Sequence, residues 1–289
     1  MNAFFFGLGY SSKEASIRMR TSGEYASIGG TVRTAEKAQA LAAKGLSTHV
    51  FDGTTPGKTL GEDLRQASHG ILSIAPGEAG DPALLHHRAD LDAAENLQWL
   101  CYYSTVGVYG DFQGAWIDES APLVPRNDRS DRRVLAEQAW RDYAADRGVP
   151  LCILRLAGIY GPGRSTFDKL RDGTARRVIK PGQVFNRIHV EDIGRITALA
   201  AEARLSGTFN LADDEPAPPQ DLVTYAAGLM GMAPPAEVPF EQAEFTPMQK
   251  SFYRDNKRVS NAAIKQALGI ELLHPNYRQS LDAIWESEK

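Results

Sequence analysis

The chain has 289 residues, 43% hydrophobic and 24% charged, enough apolar material for one large domain or two coupled lobes. Its 32 basic and 36 acidic side chains leave a net charge of −4, so no global field favours nucleic acid or an anionic membrane as partner. The opening apolar stretch Ala3-Phe4-Phe5-Phe6 lacks a basic lead-in and is too short for a signal peptide or a membrane span, so a cytoplasmic protein is expected.

Short apolar runs then alternate with helical patterns. Met1–Phe6, Tyr25–Ile28, Thr48–Phe51, Ile71–Ala75, Leu97–Tyr103 and Leu151–Leu156 read as strands, apolar on both faces as a covered parallel sheet demands. Thr34 is placed to cap a helix over Ala35–Lys44, which stops at Gly45. Asp81 and Pro82 open another, and a long one runs from about Asp128 to Arg147 and stops at Gly148. This order predicts an α/β fold: a Rossmann-type doubly wound parallel sheet. Beyond Gly163 come strand-like runs at Val184–Val190 and Thr208–Leu211 around a helix over Glu191–Arg204. From Asp213 the chain is helical with proline-rich joints. The expected division is a dinucleotide-binding domain over 1–163 and 184–212, and a smaller, mostly helical substrate lobe over 164–183 and 213–289. A cleft between two such lobes is a common substrate site.

Neither histidines nor cysteines show metal-ligand spacing. His86 and His87 are adjacent in a helical polar segment, where neighbours point apart, and read as a solvated face. Cys101 and Cys152 each lie in an apolar strand, where a small thiol packs like a hydrophobe. That pattern favours free thiols and a reducing compartment over a disulfide.

Directly after the first strand stands Gly7-Leu8-Gly9-Tyr10-Ser11-Ser12. Glycine first allows a tight turn, and glycine second lets a pyrophosphate approach the backbone. Amides at the helix N-terminus then meet the phosphate charge. Ser12 stands where the third glycine of G-x-G-x-x-G is usual, and is small enough for helix and strand to approach. After the second strand an acidic residue would bind a ribose 2′-hydroxyl, but this chain has Gly30-Thr31-Val32-Arg33-Thr34. Arg33 offers a planar fork for a 2′-phosphate and Thr34 a hydroxyl beside it, so NADP(H) is preferred, with NAD(H) as the alternative. Topology places Asp52 near the adenine, and Ala75-Pro76-Gly77 along the middle of the cofactor.

Four later stretches, Ser104–Gly110, Asp118–Pro122, Leu154–Gly163 and Arg187–Asp192, resemble the extended short-chain dehydrogenase/reductases, the NAD-dependent epimerase/dehydratase superfamily, in an atypical branch. The resemblance runs in order from Gly7 to Asp192. It implies a Ser/Thr that orients substrate, a tyrosine that transfers a proton, and a lysine that holds the ribose. Thr105 matches the hydroxyl position. Counting back from Glu137, Arg129 and Arg133 stand where the Tyr-x-x-x-Lys pair belongs. Arginine has no lone pair to accept a proton, so Arg129 cannot be a general base, although Arg133 could put a cation near the ribose. Tyr109 is the first substitute considered for proton transfer, with Tyr103, Asp111 and His189 in segments whose ends face the same crevice.

Between Arg164 and Arg187 seven basic residues face two acids, which suggests an anionic substrate such as a nucleotide diphosphate; a solvated helix face is the alternative. Arg164, Arg187 and His189 are the substrate-side candidates. A structural histidine bonded to backbone is the other reading of His189, and Phe185 occupies the superfamily's usual phosphate-binding arginine position. Two functions lead, an oxidoreductase or epimerase with altered proton transfer and a dinucleotide sensor without catalysis; a structural or interaction protein without cofactor is disfavoured by Gly7, Gly9 and Arg33 together. The resemblance also implies a homodimer through 81–96 and 128–147, with Leu84, Leu85, Leu91, Val134, Leu135 and Trp140 as candidate contacts.

Overall fold

The computed structural model describes residues 1–289, apart from the side chain of Met248. In chain order the first half comprises β1 (Asn2–Phe6), α1 (Tyr10–Thr21), β2 (Ser27–Val32), α2 (Ala35–Ala42), β3 (Ser47–Val50), α3 (Gly61–Arg65), β4 (His69–Leu72), α4 (Pro82–Asp92), β5 (Trp99–Thr105), β6 (Trp116–Ile117), α5 (Asp128–Arg147) and β7 (Leu151–Leu156). There follow β8 (Gly158–Tyr160), α6 (Thr166–Arg171), β9 (Arg177–Ile179), β10 (Arg187–His189), α7 (Val190–Glu202), β11 (Gly207–Leu211), α8 (Pro219–Leu229) and β12 (Glu237–Pro239). The chain ends with α9 (Pro247–Phe252), β13 (Arg258–Val259), α10 (Ala262–Leu268) and α11 (Tyr277–Ser287).

Seven strands form one sheet in the order β11-β7-β5-β4-β1-β2-β3. β1 runs parallel to β2 and β4, β2 to β3, and β4 to β5, with helices joining successive strands. This is the doubly wound α/β architecture expected. The inner strands β1, β4, β5 and β7 are buried along nearly their whole length, as helices covering both faces require, which is why they read as continuous apolar runs; edge strand β3 has no buried residue. The core over one face gathers Phe4, Phe6, Leu72, Leu100, Tyr102, Trp140, Tyr143 and Ile153.

Local signals set most helix ends. Thr34 caps α2 by accepting from the Lys37 amide at 3.3 Å, and Asp81 caps α4 by accepting from the Ala83 amide at 2.9 Å. Strand ends moved where glycine or tertiary bonding decided. β2 lies later than Tyr25–Ile28 because Gly29 and Gly30 belong to it; a Cβ on Gly30 would meet the Phe5 carbonyl oxygen at 2.5 Å. β4 ends at Leu72 rather than Ala75, and the run Val184–Val190 keeps only β10.

His87 is not on a solvated face. It is buried at a kink in α4 (φ −132°), where Nε2 accepts from the Gly57 amide at 3.0 Å and the ring packs against Phe51. Cys101 and Cys152 are free and buried, and burial together with the neighbouring Cys152 pushes the Cys101 thiol up.

The chain divides into two compact units. The first holds Met1–Val108, Asp128–Arg155 and Ile193–Phe209; the second holds Tyr109–Asn127, Leu156–Asp192 and Asn210–Lys289. The boundaries differ from those expected, since 109–127, 156–163, 184–192 and 210–212 fall in the second unit. That unit has its own core of Tyr160, Phe167, Leu222, Tyr277, Leu281 and Ile284. Among the described residues, no helix is long and apolar enough to cross a membrane.

Candidate functional site

In the first unit the chain leaves β1 at Gly7, whose φ of +97° lies in the left-handed region that glycine alone enters freely. Three bonds fix the turn: the Gly7 amide donates to Thr31 Oγ1 (2.9 Å), the Leu8 amide to the Thr31 carbonyl (2.7 Å), and Ser73 Oγ to the Gly7 carbonyl (2.7 Å). A Cβ on Gly7 would stand 2.7 Å from Ser73 Oγ. Ser12 is buried and donates to Ser73 Oγ at 2.9 Å, so the residue in the third fingerprint place also bonds the loop to β4's exit. Gly9 differs: nothing lies within 4 Å of where its Cβ would be. It is the N-cap of α1 and supplies no side chain to cap it, while half-buried Tyr10 and buried Ser11 begin the helix. A 12-residue helix therefore presents its positive end beside open space that a side chain would fill. The loop fits a diphosphate.

At the end of β2, Arg33 is exposed, and no hydrogen bond or ion pair among the described residues engages it. Thr34 is exposed beside it, its oxygen capping α2. Asp52 closes its own turn, accepting from the Thr54 amide (2.9 Å) and hydroxyl (2.7 Å); those bonds hold its carboxyl below the usual range. Exposed Ala75 and half-buried Pro76 precede a narrow turn in which the Gly77 amide donates to the Gly80 carbonyl at 2.9 Å.

At the end of β5, half-buried Thr105 accepts from the Gly107 amide at 3.1 Å and keeps its own proton to donate. Arg133, on α5, donates to the Tyr103 carbonyl (2.5 Å) and the Tyr102 hydroxyl (3.2 Å). Arg129 is exposed on the first turn of α5. Behind them lies a network that sequence reasoning used only as a landmark. Buried Glu137 accepts from Ser104 Oγ (2.5 Å) and makes a two-point pair with buried Arg155, at 3.0 and 2.7 Å.

The second unit places its candidates differently. Tyr109 is fully buried, and its hydroxyl donates to Asn210 Oδ1 at 2.8 Å. A buried, bonded phenol is a structural post, which removes the expected proton donor from solvent reach. Arg164 is exposed in the turn after β8, where its amide donates to the Gly161 carbonyl at 3.0 Å. Arg187 is buried. Its guanidinium donates to the Phe185 and Ala217 carbonyls (3.0 Å each), and burial lowers its pKa against the nearby charge of Asp213. His189 is buried, and its Nδ1 accepts from the Glu191 amide at 3.3 Å. The basic run is largely consumed by its own unit: Arg171 pairs with Glu288, Arg177 with Glu237, and Arg176, Lys180 and Arg187 bond backbone carbonyls. Arg164 and Lys169 stay at the surface.

Residues 85–212 match the NAD dependent epimerase/dehydratase family. Over that stretch, less than half of its length, the chain is similar to the NAD-dependent epimerases and dehydratases. It is similar to the 3-diazoavenalumate denitrifying reductase of a Streptomyces species, 29% identical over 183 residues, 57% of this chain and 58% of that one. The chain thus spans little more than half the length of this curated relative. A solved structure of a functionally unknown conserved protein from Silicibacter pomeroyi is 42% identical over 100% of this chain and 99% of that one, with a TM-score of 0.88. UDP-glucuronic acid 4-epimerase from Bacillus cereus, solved in complex with NAD, shares the fold (TM-score 0.77) at 16% identity over 99% of this chain and 96% of that one.

The expected cofactor positions Gly7, Gly9, Tyr10, Ser11, Ser12, Arg33, Thr34, Asp52, Ala75 and Pro76 all lie in the first unit, with Thr105 and Arg133. Arg164, Arg187, His189 and Tyr109 lie in the second. Sequence reasoning missed Thr31 and Ser73 as the bonds that shape the loop; both lie in strand-exit positions beside β1, a signal that topology alone could have supplied. It named His189 but missed Glu191 and His274, which come together with it in the second unit.

Proposed function

We propose that the protein binds NADP(H) in preference to NAD(H) and works as an epimerase/dehydratase-like oxidoreductase on a small anionic carbonyl or hydroxyl compound, with nucleotide sugars one such class. The carrying observation is a pair: open space at Gly9 beside the uncapped end of α1, and an unengaged guanidinium, Arg33, at the end of β2. Backbone amides suit the diphosphate, and a planar fork suits the extra phosphate of NADP. The reductase name of the Streptomyces relative and the NAD complex of the Bacillus cereus fold relative support nicotinamide chemistry.

Bound nicotinamide would supply hydride exchange. The chain's own groups then orient and polarise: Thr105 keeps a proton to donate to a substrate oxygen, and Arg133 holds the end of β5 in place. In this reading Arg129 and Arg133 replace the family's tyrosine and lysine, so proton transfer is non-standard. Buried Tyr109 supports that reading, because it is held by Asn210. The same observation favours a second reading, a dinucleotide sensor that keeps the cofactor loop without catalysis.

Fluorescence titration tests the cofactor. NADPH should bind at least tenfold more tightly than NADH, and Arg33→Ala should remove about 10- to 100-fold of NADPH affinity while leaving NADH binding nearly unchanged, the worth of a charge-assisted bond. Equal affinities for the two coenzymes in the wild type would end the NADP assignment. NADPH consumption with any of a panel of carbonyl compounds and nucleotide sugars decides for the enzyme over the sensor.

A further inference from the structure

In the second unit, His189 at the end of β10, Glu191 in the first turn of α7 and His274 bring one nitrogen or oxygen ligand atom each to within 4.8 Å of one another. We propose that these three side chains form a binding site for a divalent transition-metal ion of the zinc class. Two neutral imidazoles and a carboxylate match the ligand preferences of such ions.

The spacing suits two ligands of one ion. His274 Nε2 lies 3.3 Å from Glu191 Oε2. A charge-assisted N–H···O bond closes to about 2.8 Å, whereas two ligands on a tetrahedral ion with bonds of about 2.1 Å stand roughly 3.4 Å apart. The imidazoles of His189 and His274 lie side by side, ring centroids 3.7 Å apart and planes tilted 38°, and one ligand atom of each lies within 4.8 Å of the Glu191 carboxylate. Both histidines are buried and Glu191 is half-exposed, so the set meets solvent chiefly at its carboxylate.

The supporting shell is built as well. Asp192, fully buried beside Glu191, accepts from the Leu273 amide (2.7 Å) and the His274 amide (3.0 Å), pinning the backbone that carries one ligand to the helix turn that carries another. Tyr160 packs edge-on against His189 at 5.4 Å and holds the ring's plane. Groups that orient metal ligands in this way commonly change metal affinity by about 10- to 100-fold when removed. Three protein ligands leave a fourth position for water or a ligand oxygen. His274 lies 83 residues beyond Glu191, which is why no sequence spacing reveals the set.

The test uses the full chain, stripped with chelator and dialysed. Calorimetric titration with zinc should show one equivalent bound. Co²⁺ should give a visible d–d band of nitrogen and oxygen ligation without a thiolate charge-transfer band. Glu191→Gln and His274→Gln should each weaken zinc binding at least tenfold, whereas His86→Ala, outside the cluster, should leave it unchanged. No stoichiometric zinc binding, no Co²⁺ band in the wild type, or full affinity in both cluster variants would overturn the proposal. The wild-type Co²⁺ spectrum decides even where a variant fails to fold.

Discussion

Gly7 and Gly9 stand two residues apart in one motif and are glycine for opposite reasons. Gly7 must take a positive φ with Ser73 Oγ packed against it; Gly9 has an ordinary φ of −83° and empty surroundings. Gly7→Ala should therefore cost about 1–3 kcal/mol of stability from strain and overlap, read as a lower urea midpoint. Gly9→Ala should leave that midpoint unchanged while weakening NADPH binding in the fluorescence titration, because its methyl enters the space a diphosphate would use. If Gly9→Ala bound NADPH as well as wild type, the cradle would lie elsewhere. Both glycines were legible in the sequence as a motif. The difference between them was not, because it depends on what Ser73 does after β4, 66 residues on.

At the scale of elements, α5 is tied to the sheet by a buried ion pair rather than by apolar packing alone. Glu137 reaches Ser104 on β5 and Arg155 on β7, and half-exposed Arg141 adds a contact to Glu137 at 3.3 Å. Removing one member leaves the other charged and buried. Glu137→Ala should destabilise by about 3–5 kcal/mol in chemical denaturation, and Glu137→Leu with Arg155→Met should cost less than the sum of the two single changes. Additive losses would show that the two side chains do not interact. The helix itself was clear from its pattern, which ends at Gly148, yet its faces were not. Leu91 and Trp140, candidates for a dimer contact, are buried in the core, Leu84 packs against it, and Leu85 and Leu135 are the exposed ones.

For the molecule as a whole, buried His69 gives stability a pH dependence. It begins β4, between the rings of Tyr25 and Trp99, with Nδ1 2.9 Å from Ser68 Oγ, and burial pushes its pKa from 6.5 down to about 4. The folded state thus binds a proton less readily than the unfolded chain. This contribution is complete above about pH 6.5 and is lost as pH falls from there towards 4. Denaturation midpoints of the wild type should drop between pH 7 and 4.5 by more than those of His69→Gln. Parallel drops would show that His69 does not control this range.

The sequence by itself determined the α/β order, the cofactor-type loop, the helix caps at Thr34 and Asp81 and the place of an arginine after β2. Each is written in a few consecutive residues, where backbone preference and period decide. Only the tertiary structure decided that Tyr109 and Arg187 are internal posts, that the basic run spends itself on carbonyls and acids of its own unit, and that His189 meets His274. Those outcomes depend on partners tens of residues away, and burial assigns a polar side chain its role only once the fold has chosen its neighbours.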